Sequence, residues 1–307
     1  MTHTVHRCYY TTEMTESKYP GWIFMDTGVI FVFLPKHESF SPGVLTKTSD
    51  NDNIFLQGLT AMSQSRHPIE RGSIMILINC TGHSGFTVES ESYMLIFDYS
   101  EGVLPPIPQN KKLYVFISHA HEDHFNPDIF SICRDHPSVK FVVSGDIPRD
   151  VVESCGVTDY ICAEPGMDIR PESRFRIKVL PSTDEGVAYL AGWPGRNIFH
   201  AGDLNLWLWP GMSEAEVFEM TSKFREYTKA LRMFQIDTAF LPLDTRQGMY
   251  SFLGFDYYMK HLRIKNVIPM HFFGSSKIVE ELMFDPISRS YRNRIVPMER
   301  GSRVTLN

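Results

Sequence analysis

The chain has 307 residues, 43% of them hydrophobic and 21% charged, with a formal net charge of −6. That composition supplies an ordinary globular core, and its acidic balance excludes a nucleic-acid grip built on bulk positive charge. Five scattered cysteines (Cys8, Cys80, Cys133, Cys155 and Cys162), with no CxxC pair, exclude a disulfide-framed secreted scaffold and fit a reducing compartment.

The opening MTHTVHRCYYTTEMTE lacks the basic start and apolar stretch of a signal peptide. The longest apolar run, GVIFVFLP at 28–35, is too short to span a bilayer. The expectation is a cytoplasmic protein with no membrane partner. Residues 1–73 hold an aromatic-rich stretch, YPGWIFMDTGVIFVFLP, then a polar one, KTSDNDN, without sustained helical or strand rhythm. They read as an extension carrying one hairpin. A second reading stands beside this one. Glu70-Arg71-Gly72 can be encoded by an unbroken purine run shortly before Met75, which resembles a ribosome-binding site ahead of a start codon. On that reading translation begins at Met75.

From residue 74 the pattern is regular. IMILINC (74–80), GFTVES (85–90), YMLIFDY (93–99), LYVFIS (113–118), KFVVS (140–144), RFRIKVL (174–180), GVAYLA (186–191) and NIFHA (197–201) predict short strands. Over 213–234, Val217, Met220, Phe224, Tyr227, Leu231 and Phe234 recur at helical spacing behind a Ser213/Glu216 capping box. That stripe reads as core. DTAFLPL (237–243) and NVIPM (266–270) predict further strands, and 253–262 and 276–284 further helices. A block of strands followed by alternating strands and helices predicts one α/β (α+β) domain over 74–307, with two packed sheets and helices outside.

FISHAHEDHFNPD (116–128) carries the densest chemistry. A buried strand delivers the chain to Ser118, and Asn126-Pro127 has the form of a helix start. The cluster therefore lies on the loop at a strand's C-terminal end, where α/β proteins build their sites. Alternation lets His119 and His121 point the same way, while Asp123 and His124 face a second point nearby. Imidazole nitrogens and a carboxylate suit Zn²⁺ or a similar divalent ion.

HxHxDH resembles the signature of the metallo-β-lactamase superfamily. The likeness extends through GHSGFTVE (82–89), Asp98 of LIFDYSEG, Asp203 of FHAGDLN and His271 of NVIPMHFFG, in the order of the lactonase-like branch that contains ascorbate-6-phosphate lactonase. It implies an αββα sandwich of two mixed sheets with helices on the outer faces. It also implies two metal positions: His119 and His121 at the first, Asp123, His124 and His271 at the second, and Asp203 bridging both. Such a pair, roughly 3.5–4 Å apart, would activate a shared hydroxide and clamp the attacking and leaving oxygens.

The family's third histidine at the first position is missing. The matching stretch LPSTDEGVAYL offers Thr183 or Asp184, and Asp184 is the candidate oxygen ligand, one that would shift preference from Zn²⁺ toward Mn²⁺ or Fe²⁺. Asp98 is expected to orient a metal-bound histidine. Asp123 and His83 are the candidates for proton handling and oxyanion contact. Asp244, Arg246 and Trp207 are the candidate substrate contacts, with an Asp244–Arg246 salt bridge as the competing reading of that pair. His200 is expected to point away from the metals as a structural residue.

The leading expectation is a hydrolase that uses a metal-bound hydroxide on an ester, lactone, amide or phosphoester of a small molecule, as a monomer or homo-oligomer. The alternatives are an RNA-processing or phosphodiesterase nuclease of the same fold, disfavoured by the acidic charge, and a non-catalytic protein with a degenerate site. A flavodiiron role is disfavoured because His121 stands where those proteins have Glu.

Overall fold

A computed structural model describes residues 22–24, 30–32, 75–273 and 275–307. The chain divides into two units, 1–70 and 71–307. In the first, β1 (Trp22–Phe24) pairs antiparallel with β2 (Ile30–Val32). The rest of the 1–73 extension, and residues 70–74 on which the Met75 start reading depends, lie outside the described residues.

The second unit holds two mixed sheets. One takes β3 (Ile76–Cys80), β4 (Phe86–Glu89), β5 (Tyr93–Phe97), β6 (Lys112–Ile117), β7 (Val139–Ser144) and β8 (Tyr160–Ala163). The other takes β9 (Asp168–Glu172), β10 (Phe175–Pro181), β11 (Val187–Trp193), β12 (Arg196–His200), β13 (Gln235–Pro242) and β14 (Arg263–Met270). The last strand, β15 (Arg303–Leu306), returns to pair with β3. The orders are β15-β3-β4-β5-β6-β7-β8 and β14-β13-β12-β11-β10-β9. Pairing is parallel from β5 to β8 and from β12 to β14, and antiparallel elsewhere in both sheets.

Strand alternation explains the layers. On β5 and β6, Tyr93, Leu95, Phe97, Tyr114 and Phe116 enter the core shared with the second sheet. Met94, Ile96, Leu113, Val115 and Ile117 face the other way, against α1 (Asp128–Cys133) and α2 (Arg149–Ser154). Both faces of these strands are therefore apolar, as a parallel strand covered on two sides requires. On the far side, α3 (Glu214–Thr228) packs on β10 and α4 (Leu253–His261) on β13, and α5 (Lys277–Phe284) adds Ile278 and Leu282 to the same core. No helix among the described residues is long and apolar enough to cross a membrane.

The Ser213/Glu216 capping box opens α3, but the helix stops at Thr228. A 3-10 turn, Lys229–Met233, then leads into β13 two residues before the predicted start. β8, β9 and β15 have no counterpart in the sequence reading. They are edge or near-edge strands of four or five residues, with partly exposed patterns that carry little periodic signal.

The sheets are tied where the site lies. Val187 N donates to Ser118 O at 2.9 Å, and Tyr189 Oη donates to Ile117 O at 2.9 Å. Gly186 sits at φ +64°, where a Cβ would fall 2.0 Å from Ser118 O and 2.6 Å from His119 Cβ. Only glycine lets this loop close onto the end of β6.

Candidate metal centre

Five strand ends converge on one point. Asp98 follows β5, the 118–124 loop follows β6, Asp203 follows β12, Asp244 follows β13 and His271 follows β14. Each strand contributes its C-terminal end, so side chains far apart in sequence face one cleft. Two of these residues have left-handed backbone, Asp98 (φ +43°) and His271 (φ +62°). Strain of this kind persists only where the surroundings hold it.

The loop residues separate into two sets around Asp203. His119 Nε2 lies 3.1 Å from His121 Nδ1 and 3.6 Å from Asp203 Oδ2. On the other side, Asp203 Oδ1 lies 3.1 Å from His124 Nε2 and 3.3 Å from His271 Nε2. Asp123 Oδ2 is 3.6 Å from His271 Nε2, 3.5 Å from His83 Nε2 and 4.0 Å from His124 Nε2. Donor atoms of His119, His121 and Asp203 all lie within 4.8 Å of one another, and so do those of His124, Asp203 and His271. Two further such sets are His83, Asp123 and His271, and His119, Asp123 and His124.

The fit to cations shows in what these atoms lack. Asp203 Oδ1, both ring nitrogens of His271 and His83 Nε2 are buried with no hydrogen bond of proper geometry. Buried polar atoms are rarely left so. Carboxylate and imidazole donors crowded together in this way suit a shared positive ion.

Behind this cluster lies a buried anchor. Asp98, fully buried, accepts from Ser118 N (2.8 Å), Ser118 Oγ (2.6 Å) and His124 Nδ1 (2.8 Å). It therefore fixes the far side of His124, as expected for a carboxylate that orients a ligand. His200 turns away from the cluster. Its Nε2 donates to Ser84 O at 2.9 Å, its Nδ1 accepts from Gly202 N, and its ring stacks on Phe97.

Charge follows geometry. Burial alone would lower the His124 pKa, but Asp203 and Asp98 on either side outweigh it and raise it to about 10. Burial, reinforced by neighbouring histidines, lowers His119 and His83 to about 4, so both are neutral at pH 7. Asp203 is held well below the usual carboxylate range, because His124 and His271 overcome its burial.

Asp184 is not in any of the tight donor sets. It lies on the exposed 182–186 loop, its NH donating to Ser182 Oγ at 3.2 Å. Its carboxyl is raised above the usual range by burial and by Asp203. Thr183 is committed elsewhere, its Oγ1 donating to Asn205 O (2.5 Å). The residue the sequence reading missed here is Glu185, whose Oε2 is 3.5 Å from His121 Nε2, the nitrogen turned away from His119.

Of the substrate candidates, Trp207 is buried, with Nε1 donating to Asp203 O (2.8 Å) and its ring 5.6 Å from His271. It backs the Asp203 loop. Arg246 is paired with Asp244 in a two-pronged contact, the salt-bridge reading of that pair. Asp244 Oδ2 in turn lies 3.2 Å from His271 Nδ1. Burial would raise the Asp244 carboxyl, but hydrogen bonds from His271 and Arg246 hold it down at about 2.

No family model matches the chain. A curated relative, the UPF0173 metal-dependent hydrolase of Nanoarchaeum equitans, is 25% identical over 213 residues, covering 64% of this chain and 83% of the relative. Among solved structures, the metallo hydrolase Igni18 of Ignicoccus hospitalis matches at TM-score 0.54 and 20% identity, over 76% of this chain and 99% of that one. The metallo-β-lactamase fold protein YhfI of Bacillus subtilis matches at TM-score 0.50 and 13% identity, over 76% and 99%. The diiron β-hydroxylase CmlA of Streptomyces venezuelae matches at TM-score 0.54 and 13% identity, over 76% of this chain and 54% of its own.

Proposed function

From the metallo-β-lactamase fold that this chain adopts, we propose that it is a metal-dependent hydrolase with two divalent ions, zinc in the first instance, acting on a small carboxylic ester, lactone or amide. The observation that carries this is the division at Asp203: one carboxylate oxygen faces His119, the other faces His124 and His271. His119, His121 and Asp203 would hold one ion, and Asp123, His124, Asp203 and His271 the other. Bound there, the ions would bring a water to ionise near pH 7 and take up charge on the substrate's oxygen.

The protein's own groups supply the rest. Asp123 is 30% exposed and borders the open side, within reach of His83 and His271. It is the group placed to hold a proton and pass it to a leaving oxygen or nitrogen. His83, neutral at pH 7 with Nε2 unpartnered, is an imidazole free to meet a substrate oxygen. Asp184 is the candidate for the position left without a third histidine. Glu185 beside His121 fixes that ring from outside.

Charge at the mouth bears on the substrate. Glu122 and Asp123, with Glu101 paired to Arg300, line a cleft of about 350 Å³ with His83 and Ser100. Asp184 and Glu185 lie on the loop beside His121. Arg246, which could have offered a positive charge, is already paired. An acidic mouth repels phosphate esters and nucleic acid, which favours uncharged acyl substrates over the phosphodiesterase alternative.

Elemental analysis of unchelated protein, beside turnover of a panel of neutral esters, lactones and phosphodiesters, tests this reading. About two metal equivalents and chelator-sensitive turnover of neutral acyl substrates are expected. Metal-free protein, or phosphodiesters turned over in preference, would overturn it.

A second measurement concerns His124. Its two nitrogens face Asp98 and Asp203, so in metal-free protein it carries both protons at pH 7.5. A metal must displace the proton on Nε2. Zinc titrations followed by calorimetry in buffers of different ionisation enthalpy should therefore show roughly one proton released from this residue. An observed heat independent of buffer would contradict it.

A further inference from the structure

Arg246 stands at the rim with half its side chain exposed, yet the Nε–Nη2 edge of its guanidinium is engaged by Asp244. Nε donates to both oxygens of Asp244 at 3.0 Å, and its backbone N–H donates to Oδ1 at 2.8 Å. The guanidinium carbon lies 3.7 Å above the Phe273 ring. That ring meets His83 at 4.4 Å and His271 at 5.1 Å, and its backbone carbonyl accepts from Thr245 Oγ1 at 2.9 Å. Asp244, fully buried, turns its other face to His271 Nδ1 at 3.2 Å. A continuous path therefore runs from the protein surface through Arg246 and Asp244 to the nitrogen of His271 that faces away from the metal centre.

We propose that Arg246 is a positioning residue for the metal centre, pinning Asp244 so that His271 presents Nε2 to the ion, and that it does not clamp an anionic substrate. The proposal rests on the reading of His271 as a ligand. A planar guanidinium can fork onto a carboxylate and lie flat on an aromatic ring at once, which an ammonium cannot. Phe273 is the seat, and Asp244 is the arm. With the arm fixed, Asp244 Oδ2 stays 3.2 Å from Nδ1, placed to take its proton in a hydrogen bond once an ion aligns the ring and to leave the Nε2 lone pair free, the usual arrangement of a carboxylate behind a metal-bound histidine. His271 has particular need of such support because its backbone is left-handed without being glycine.

The test compares wild type with Arg246→Ala, Arg246→Lys, Asp244→Asn and the Asp244→Asn/Arg246→Ala double variant. Zn²⁺ affinity is read by chelator competition. Kinetics are read on a neutral aryl ester and its carboxylate-bearing analogue. Arg246→Ala should weaken zinc binding by about 10–100-fold, the range for losing a partner behind a ligand. It should lower kcat while leaving KM alike for both esters. Arg246→Lys should recover only part of the affinity, and the double variant should bind zinc no worse than Asp244→Asn alone. If Arg246→Ala does not fold, the lysine and asparagine variants carry the same comparison. Unchanged zinc affinity with a KM rise confined to the carboxylate-bearing ester would make Arg246 a substrate clamp and overturn the proposal. So would additive losses in the double variant. Wild-type protein that binds no zinc would instead bring down the metal reading itself.

Discussion

Asp203→Asn is expected to empty both metal positions together, taking zinc from about two equivalents per chain to well below one. Each oxygen of this carboxylate faces a different set of histidines. An amide keeps one oxygen but puts an NH₂ in the other place, and it removes the negative charge that two cations would share. Affinity should fall by more than about a hundredfold, the upper end for losing an outer partner alone, and hydrolysis should fall with it. The fold should survive. The 203–205 turn is held through its backbone, where Asp203 O accepts from Trp207 Nε1 and Asn205 N donates to Thr183 Oγ1. Elemental analysis and near-UV circular dichroism on the same sample separate these effects. Retention of two metals by a folded variant would contradict the shared-carboxylate reading.

Asp98→Asn is expected to damage stability and metal binding at once. Asp98 accepts three hydrogen bonds in a fully buried place and lies 3.7 Å from His200 Nδ1. Asparagine tolerates the left-handed backbone that Asp98 adopts, so this substitution isolates the loss of the carboxylate from backbone strain, which alanine would not. One amide oxygen cannot serve Ser118 and His124 as two carboxylate oxygens do. The orphaned donors and the uncompensated His124 charge should cost about 3–5 kcal/mol. Denaturant unfolding of metal-free protein measures this.

The pH dependence of that experiment has a definite sign. His124 has its folded pKa raised from 6.5 to about 10. Its ion pairs therefore stabilise the metal-free fold fully below pH 6.5, and that contribution is lost as pH rises toward 10. Metal-free wild type should lose stability along this alkaline arm, and Asp98→Asn should make it shallower while Asp203 keeps part of it. A variant with the wild-type alkaline slope would show that Asp98 does not set the His124 charge.

The parts legible in the sequence share a physical reason. HxHxDH, the Gly-Asp turn and the Pro-Met-His strand end are short segments whose chemistry is visible without tertiary context. The buried strands β5 and β6 announce themselves as apolar runs. What stayed hidden depends on contacts between distant segments. Glu185 looks like an ordinary loop acid until the 182–186 loop folds over Gly186 onto β6. Ser118 looks like a strand terminator, yet its hydroxyl joins Asp98 to His119, with Nδ1 at 3.0 Å. Asp244 and Arg246, two residues apart on a strand end, offered a substrate clamp and, slightly ahead of it, a salt bridge. The position of His271, 27 residues later, gives that pair its direction.

The strand ends that build the centre belong to both sheets. The first sheet brings His119, His121, Asp123 and His124, and the second brings Asp203 and His271. Each of the two proposed positions draws donors from both sheets, so an ion bound there would act as a rivet between them. During synthesis the chain emerges with its histidine loop first, and the β14 terminus carrying His271 comes about 150 residues later. At the 5–20 residues per second typical of translation, about 8–30 seconds separate the first donor from the last. Tight metal capture is thus a late event, one that registers whether the two halves of the protein have found each other.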